Sequence, residues 1–137
     1  PGMPKNDYRV FPRFFSSIKN NKPITIFKKG KQTRTFCYVS DAITAMFLVI
    51  IKGNKFVYNI GADGPEVNMS VLHKNIERSI GKKVKSKNVN YPKNYPQVEP
   101  QRRCPDISKI KKELKFKNRV SLSESIKRFY YWSSKYY

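Results

Sequence analysis

Apolar residues recur at helical spacing in several stretches of the chain, and the first of these predicts a helix over residues 10–20. The apolar run from Ala45 to Ile51 is almost uninterrupted, so the helix that contains it, over 41–52, should be buried on most sides. Together with shorter amphipathic stretches, the pattern predicts further helices over 68–80, over 106–114 and from 121 onward.

Polar residues and glycines mark where these helices begin and end. Asn68 is placed to cap the start of its helix, and Gly81 is placed to end it. Asp106 precedes a short helix, and the sequence Ser121-Leu-Ser-Glu124 has the spacing of a capping box that opens the last helix. The last helix should turn Leu122, Ile126 and Phe129 inward.

Short runs of β-branched and aromatic residues predict the strands. Residues 24–27 and 33–39 should form two strands joined at Lys28–Lys31, and we expect them to pair as a hairpin. The run 56–61 should be an interior strand, and 83–91 should hold another, followed by a proline-punctuated loop. Alternation of helices and strands makes the fold class α/β or α+β, and a closed nucleotide-binding sheet is not visible.

The net charge of +20 is consistent with a polyanion, an anionic membrane surface or a phosphorylated small molecule as partner. The lysines are scattered along the chain and form no single basic tract, which disfavours nucleic acid as the main partner. No apolar run reaches the length of a membrane span. Cys37 and Cys104 match no metal-binding spacing, and we expect no metal and a cytoplasmic setting.

Two polar stretches carry the candidate chemistry, 31–41 and 101–109. Each places an arginine among turn residues beside a predicted ordered element. The planar guanidinium engages two oxygens at once and keeps its charge, which suits it to a diphosphate. Each stretch therefore offers a guanidinium to an anion such as a diphosphate, from Arg34 in the first and from Arg102 or Arg103 in the second.

Several motifs in order resemble the C-terminal half of the extended short-chain dehydrogenase/reductase enzymes. These are Pro1–Met3, Asp7–Val10, Pro23–Phe27, Gln32–Val39 and Arg102–Asp106. The resemblance covers nearly the whole chain and is strongest to the NAD-dependent epimerase/dehydratase family, in particular to UDP-glucuronate decarboxylases. It implies a single substrate-binding domain over 1–137, with the N-terminal Rossmann half absent.

The resemblance also implies roles for individual residues. Arg34 and Arg103 would hold the diphosphate of a nucleotide-sugar, which we expect to be a UDP-sugar. Phe27 would lie against the base, where the family usually has tyrosine. Gln32 would position the sugar or orient Arg34, and Arg9 would approach the ligand.

The chain departs from the family in four respects. Phe27-Lys-Lys-Gly30 replaces the family's Tyr-Gly-Asp-Gly turn, and Val98-Glu-Pro100 stands where the subfamily often has Asp-Asp-Pro. No Gly-x-x-Gly-x-x-Gly motif is present to hold a dinucleotide pyrophosphate. We also expect no catalytic Tyr-x-x-x-Lys pair, since the candidate tyrosines, Tyr130 and Tyr131, lie with Lys135 in the last helix.

The expected function is therefore nucleotide-sugar binding within an NAD-dependent epimerase, dehydratase or decarboxylase. In the intact enzyme NAD would oxidise a sugar hydroxyl transiently and return the hydride. The chain alone should be inactive and should not bind NAD tightly. Two alternatives stay open: a non-enzymatic basic module for nucleic acid or other polyanions, and a homodimer formed through an exposed apolar face.

Overall fold

The computed structural model describes residues 3–4, 7, 9–54, 57–92 and 100–137. Within them the chain forms a mixed α/β fold of helices and short strands. In chain order the elements are α1 (Val10–Lys19), β1 (Ile24–Phe27), a 3₁₀ turn (Lys28–Gly30), β2 (Thr33–Arg34), α2 (Val39–Lys52), β3 (Val67–Asn68), α3 (Met69–Ile80), β4 (Ser86–Val89), β5 (Arg102–Arg103), α4 (Ser108–Leu114) and α5 (Leu122–Tyr136).

The chain divides into two compact units. The first unit consists of Pro1–Lys31, Asn68–Glu99 and Ser123–Tyr137, and the second consists of Gln32–Val67 and Pro100–Leu122. The chain therefore passes between the units four times, and the candidate motifs are distributed over both.

In the first unit, β1 lies parallel to β4, with Ile24 opposite Ser86 and Phe27 opposite Val89. The predicted hairpin of β1 with β2 is therefore wrong. The chain leaves β1 through the 3₁₀ turn, and β2 then joins a different sheet. The predicted strand near residues 83–91 is confirmed as β4, the parallel partner of β1. A parallel partner lies far away along the chain, so the local turn signal gave no indication of it.

Helices α1, α3 and α5 supply most of the apolar core of the first unit. Aromatic rings add to it: Phe15 and Phe129 lie with centroids 5.1 Å apart, and Trp132 lies 5.6 Å from Phe129. The predicted inward positions of α5, Ile126 and Phe129, are confirmed as buried. The buried side chains of this core include Phe14, Phe15, Ile18, Ile24, Ile26, Leu72, Ile76, Ile126 and Phe129.

Gly30 closes the 3₁₀ turn in the left-handed region, with φ +65°. A Cβ at this position would lie 2.8 Å from Ile26 Cγ2 and 2.9 Å from Met69 Cβ. We expect Gly30→Ala to lower the free energy of unfolding by about 2 kcal/mol, because it adds backbone strain and crowding together. Urea denaturation measures the loss.

Gly81→Ala is the matched control, because Gly81 has the same φ of +65° but no atom within 4 Å of its added Cβ. It should cost about 1 kcal/mol through backbone strain alone. Equal losses for the two variants would show that the close approach at Gly30 does not matter.

The core of the second unit is formed by α2 and α4. One face of α2 packs in this core. Asp41, in the first turn of α2, is 4% exposed. Its carboxylate accepts hydrogen bonds from the backbone N–H groups of Arg119 (2.9 Å) and Val120 (3.0 Å). The buried cluster comprises Ala45, Ile107, Ile110, Leu114 and Phe116, with Leu48, Val49, Tyr58 and Ile60 packed against it.

Two sequence predictions fail in the second unit. The opposite face of α2 is exposed, so the helix is not buried on most sides. Residues 57–61, the described part of the predicted interior strand, form no strand. Both stretches have the apolar composition of buried elements, but the described residues of this unit cover only one side of α2.

Candidate functional site

The two predicted arginines stand side by side in the second unit. β2 pairs in parallel with β5, and the register places Arg34 opposite Arg103. The backbone N–H of Thr33 donates to the Gln101 carbonyl at 2.8 Å, and that of Thr35 donates to the Arg103 carbonyl at 3.1 Å. Neighbouring strands lie about 4.8 Å apart, and partners in register point to the same face. The pairing therefore brings two guanidinium groups to one face of the sheet.

Arg34 is held in place by backbone carbonyls. One terminal nitrogen donates to the Thr33 carbonyl at 2.7 Å, and the other donates to the Pro100 carbonyl at 2.7 Å. The side chain is half-buried. These bonds join β2 to the residue that leads into β5, so the guanidinium orientation is defined before any ligand arrives.

Arg103 is the exposed member of the pair. Its side chain makes no hydrogen bond or ion pair with any residue that the structure describes. Like charges on directly adjacent strand positions repel each other. An anion placed over both guanidinium groups would remove this repulsion and add charge-assisted hydrogen bonds.

The opposite face of the same two strands is electrostatically balanced. The Glu66 carboxylate accepts from Arg102 Nε at 3.0 Å and from an Arg102 terminal nitrogen at 2.9 Å, and it also accepts the Thr33 hydroxyl at 2.5 Å. Because side chains alternate along a strand, Arg102 and Arg103 face opposite ways. Only the Arg103 side of β5 therefore offers a cation that no described carboxylate neutralises.

Hydrogen bonds hold the pKa of Glu66 below its usual value. The largest effect comes from the Thr33 hydroxyl, and the next from the Arg102 guanidinium. Because the folded-state pKa is the lower one, the stabilisation is fully present above the unfolded-state pKa of about 4.3. It is lost as the pH falls through the folded-state value. We expect the melting temperature of the wild-type chain to fall more steeply below about pH 4.5 than that of Glu66→Gln.

Melting temperatures of the two proteins at a series of pH values check this expectation. The two curves should converge at low pH, where the wild-type carboxyl is protonated. Parallel curves would show that Glu66 does not contribute to acid sensitivity.

Gln32 lies directly before β2, in the same unit as the arginine pair, and is half-buried. This places it two residues from Arg34, at the start of the strand. The role predicted for it, positioning the sugar or orienting Arg34, remains a prediction.

Phe27 lies in the first unit, at the end of β1, and is 5% exposed. The Arg13 guanidinium carbon lies 4.1 Å from its ring centroid, and the Tyr91 ring centroid lies 4.9 Å away. A base stacked on Phe27 would have to displace one of these neighbours, and the Lys28 ammonium lies 5.4 Å from the centroid of the Tyr91 ring. Tyr91 follows β4, so the β1–β4 pairing that brings its ring to Phe27 would have been needed to predict this contact.

Arg9 also lies in the first unit, where it pairs with Asp7. Its Nε donates to the Asp7 carboxylate at 2.8 Å, and its hydrogen bonds hold the pKa of Asp7 below the usual value. Because Asp7 already neutralises this guanidinium, a phosphate at Arg9 would compete with the carboxylate. Its ligand role therefore remains the weakest of the five predicted.

One expectation from the sequence needs correction. Tyr131-Trp-Ser-Ser-Lys135 does have the Tyr-x-x-x-Lys spacing that we expected to be absent. Tyr131 is 78% exposed on α5, and the Lys135 ammonium lies 5.5 Å from the ring centroid of Tyr136. A tyrosine so open to water lacks the enclosed surroundings that tune a proton-transfer group. Residues four positions apart lie on the same face of a helix, so the exposed face of α5 explains this spacing.

Other kinds of site are not found in the part of the chain that the structure describes. No group of three histidine, cysteine or acidic residues there could hold a metal ion. Among the described helices, none has the length and apolar character needed to cross a bilayer. Both cysteines are free, and burial raises the pKa of the Cys37 thiol. Two motif segments, 1–2 and 98–99, lie outside the described residues.

Comparison with known proteins shows which family the chain is similar to. Residues 1–61 match the sequence model of the NAD dependent epimerase/dehydratase family. UDP-glucuronic acid decarboxylase 3 of Arabidopsis thaliana is 33% identical over 92% of this chain and 35% of its own length. UDP-glucuronate 4-epimerase of Thermodesulfobacterium geofontis is 32% identical over 93% of this chain and 38% of its own length.

A solved structure agrees with these relatives. UDP-glucuronic acid 4-epimerase from Bacillus cereus, in complex with UDP-glucuronic acid and NAD, superimposes with a TM-score of 0.82 and 26% identity. The match covers 95% of this chain and 41% of the epimerase. The chain thus spans little more than a third of the length of the curated relatives it matches. Over that span it is similar to members of the NAD-dependent epimerase/dehydratase family of extended short-chain dehydrogenase/reductase enzymes.

Proposed function

We propose that this chain binds the nucleotide-sugar in an NAD-dependent epimerase, dehydratase or decarboxylase, and that Arg34 and Arg103 hold its diphosphate. The observation that carries the proposal is the strand register, which makes the two arginines direct neighbours on one face. UDP-glucuronic acid, bound in the Bacillus cereus epimerase, is the kind of ligand that we propose here.

The two arginines would contribute differently. Arg34 is pre-oriented by the Thr33 and Pro100 carbonyls, so binding would cost little additional side-chain entropy. Arg103 would close onto the other phosphate from the exposed side of β5. A guanidinium engages two oxygens of a phosphate at once, so the pair matches a diphosphate better than a single phosphate.

Each of the remaining predicted residues has a proposed role of its own. Gln32 would hydrogen-bond the sugar or orient Arg34, and Phe27, with Tyr91 against its ring, would lie toward the base. Arg9 would join only if a phosphate displaced it from Asp7. This chain would bind and orient the substrate. A diphosphate held in place would position the attached sugar for a reaction carried out by groups outside this chain.

The residues of this chain do not fit NAD. In the family NAD supplies the transient oxidation of the sugar, but a dinucleotide pyrophosphate is typically held by a glycine-rich turn at a helix N-terminus. The six glycines of this chain form no such motif. We therefore propose that the chain alone binds nucleotide-sugar weakly and does not hold NAD tightly. We also propose that the chain alone does not convert the nucleotide-sugar to product.

A series of truncated ligands tests this function directly. Isothermal titration calorimetry of the 137-residue chain with UDP, UMP and uridine should show affinity falling as each phosphate is removed. Adding a single-stranded oligonucleotide should not displace UDP. Equal affinity for UDP and uridine, or complete displacement by the oligonucleotide, would overturn the proposal in favour of the basic binding module.

Arg34→Gln should affect stability and binding together. The change removes guanidinium bonds to the Thr33 and Pro100 carbonyls, so we expect a loss of about 1 kcal/mol in the free energy of unfolding. UDP affinity should also fall several-fold. Urea denaturation and calorimetry on the same preparation check both effects. A loss of affinity with unchanged stability would show that Arg34 contacts the ligand but does not brace β2 against the start of β5.

A further inference from the structure

A small pocket lies in the first unit, where the C-terminal halves of α1 and α5 approach the turn after α3. Its volume is about 210 Å³, and every residue that lines it belongs to this unit. One side is formed by Phe15, Ile18 and Tyr130, with the two ring centroids 6.2 Å apart. An apolar cavity of about 150 Å³ accommodates benzene, so this pocket has room for a small organic molecule.

Two turns that end helices bring ammonium groups to the other side of the pocket. α1 ends at Lys19, and Asn21 then takes the left-handed region with φ +52°. α3 ends at Ile80, and Gly81 takes the same region directly before Lys82. Lys82 Nζ donates to Asn21 Oδ1 at 3.4 Å, so the two turns touch each other. Lys19 and Lys82 both line the pocket as a result.

The surroundings of the pocket are strongly positive. The last turn of α1 and the segments after α1 and α3 carry five lysines, which are Lys19, Lys22, Lys82, Lys83 and Lys85. Among the residues that the structure describes, only Glu77 forms an ion pair with one of them, at 3.8 Å from the Lys83 ammonium. A helix C-terminus is equivalent to roughly half a negative charge, so α1 and α3 together offset about one lysine. With Glu77 counted as well, about three of the five positive charges remain unbalanced.

The groups around the pocket select a kind of ligand. A phosphate monoester carries close to two negative charges at neutral pH, which matches the two ammonium groups of Lys19 and Lys82. Uncharged hydrogen-bonding groups lie beside them: the Asn21 amide and the Tyr130 hydroxyl, which bonds to no described residue. These groups suit the hydroxyls of a sugar-like molecule. A nucleotide is too large, since pockets for drug-sized ligands have about 300–1,000 Å³.

We propose that this pocket is a second anion site, which binds a phosphate monoester of a small polyhydroxylated molecule. The phosphate would lie between Lys19 and Lys82, and the organic part would lie against Phe15 and Tyr130. Lysines at helix C-termini are favourable by themselves. Compensation of the helix dipoles, however, requires neither a pocket between the two lysines nor an unbonded tyrosine hydroxyl beside them.

The pocket and the arginine pair belong to different units of the chain. Loss of UDP binding in arginine variants would therefore leave the pocket proposal intact, and an empty pocket would leave the arginine site intact. To keep the two sites apart in the experiment, each titration is repeated with the Arg103→Ala variant, which should bind the phosphate monoester as the wild type does.

A titration of isotope-labelled chain with glucose 6-phosphate, followed by NMR of the backbone amides, tests the pocket. The amide signals of Asn21, Ser133 and Ser134 should shift together and saturate with one ligand per chain. Inorganic phosphate should bind at least about tenfold more weakly, because it lacks the part that lies against the rings, and glucose should not bind. Equal affinity for inorganic phosphate and glucose 6-phosphate would overturn the proposal, as would shifts spread over many lysines without saturation.

Three variants locate the binding. Lys82→Gln should lower the affinity for glucose 6-phosphate at least about tenfold, because it removes a charge-assisted contact to phosphate. Lys74→Gln is the matched control, since Lys74 is an exposed lysine of α3 that does not line the pocket, and it should leave the affinity unchanged. Ser134→Trp keeps every charge but fills the mouth of the pocket, so it should abolish binding.

Circular dichroism of the three variants should match the wild type, since each replaced side chain is exposed in the structure. Equal losses from Lys82→Gln and Lys74→Gln would show that only the overall charge matters. Unchanged binding by Ser134→Trp would show that the ligand does not enter the pocket. Either result would overturn the proposal.

Discussion

Replacing Arg103 with alanine should weaken UDP binding about 10- to 100-fold, since a charge-assisted hydrogen-bonded contact to phosphate is worth about 1.5–3 kcal/mol. The fold should be unaffected, because the Arg103 side chain is exposed and bonds to no described residue. Titration calorimetry measures the affinity, and a urea melt measures the stability. The expected signature is a large loss of binding at constant stability.

Arg102→Ala is the matched control for Arg103. It removes the same charge from the neighbouring position of the same strand, but its side chain faces the other way and pairs with Glu66. We expect UDP affinity to change less than about threefold, because the lost charge lies on the other face of the strand, where salt screens its effect on the ligand. Equal losses from the two variants would mean that UDP responds to overall positive charge and not to a defined arginine pair.

Replacing Asp41 with alanine should lower the free energy of unfolding by about 3–4 kcal/mol. The buried carboxylate accepts the backbone N–H groups of Arg119 and Val120, and the variant leaves both donors without this acceptor. Asp41 also lies in the first turn of α2, where a negative charge is favourable. Urea denaturation, followed by circular dichroism, measures the loss.

Asp106→Ala provides the comparison for Asp41. Asp106 is exposed, and its carboxylate accepts the backbone N–H of Ser108 at the start of α4 at 2.8 Å. Loss of such a cap costs about 1 kcal/mol. If Asp41→Ala cost no more than Asp106→Ala, the bonds from Asp41 to 119–120 would not be a major support of the second unit.

The helices could be predicted from the sequence because their signals are local. Asn68 caps α3 as expected, accepting the Val71 N–H at 2.8 Å, and Gly81 ends that helix with φ +65°. The carboxylate of Asp106 likewise accepts the Ser108 N–H at the start of α4. Each of these signals lies within a few residues of the element that it defines, so no tertiary information is needed.

The strand pairing could not be predicted in the same way. β1 and β4 are about 60 residues apart in the chain, and parallel partners need a long crossover connection. The lysine-rich turn after β1 looks like a hairpin turn, but a turn signal shows only that the chain bends. It does not identify the strand that lies alongside.

The exposure of α2 has a related cause. Its composition predicts burial on both sides, but sequence does not say which residues provide the cover. The described residues of the second unit cover the side that contains Ala45, and the opposite face of α2 remains exposed. The sequence was informative about the preference of these residues, and wrong about their surroundings here.

The candidate site was predicted in part. Residue type and position in a polar stretch pointed to arginines as ligands of a diphosphate, and the family resemblance singled out Arg34 and Arg103 among them. The different surroundings of the arginines could not be predicted, because they depend on the β2–β5 register. That register brings Arg34 to the Pro100 carbonyl and turns Arg102 toward Glu66.

The most direct test of the arginine site is a titration of isotope-labelled chain with UDP, followed by NMR of the arginine Nε–H groups and the backbone amides. We expect the Nε–H signals of Arg34 and Arg103 to shift together and to saturate with one UDP per chain, while those of Arg102 and Arg128 stay in place. Shifts spread over many arginines and lysines without saturation would contradict it and would indicate a diffuse polyanion-binding surface.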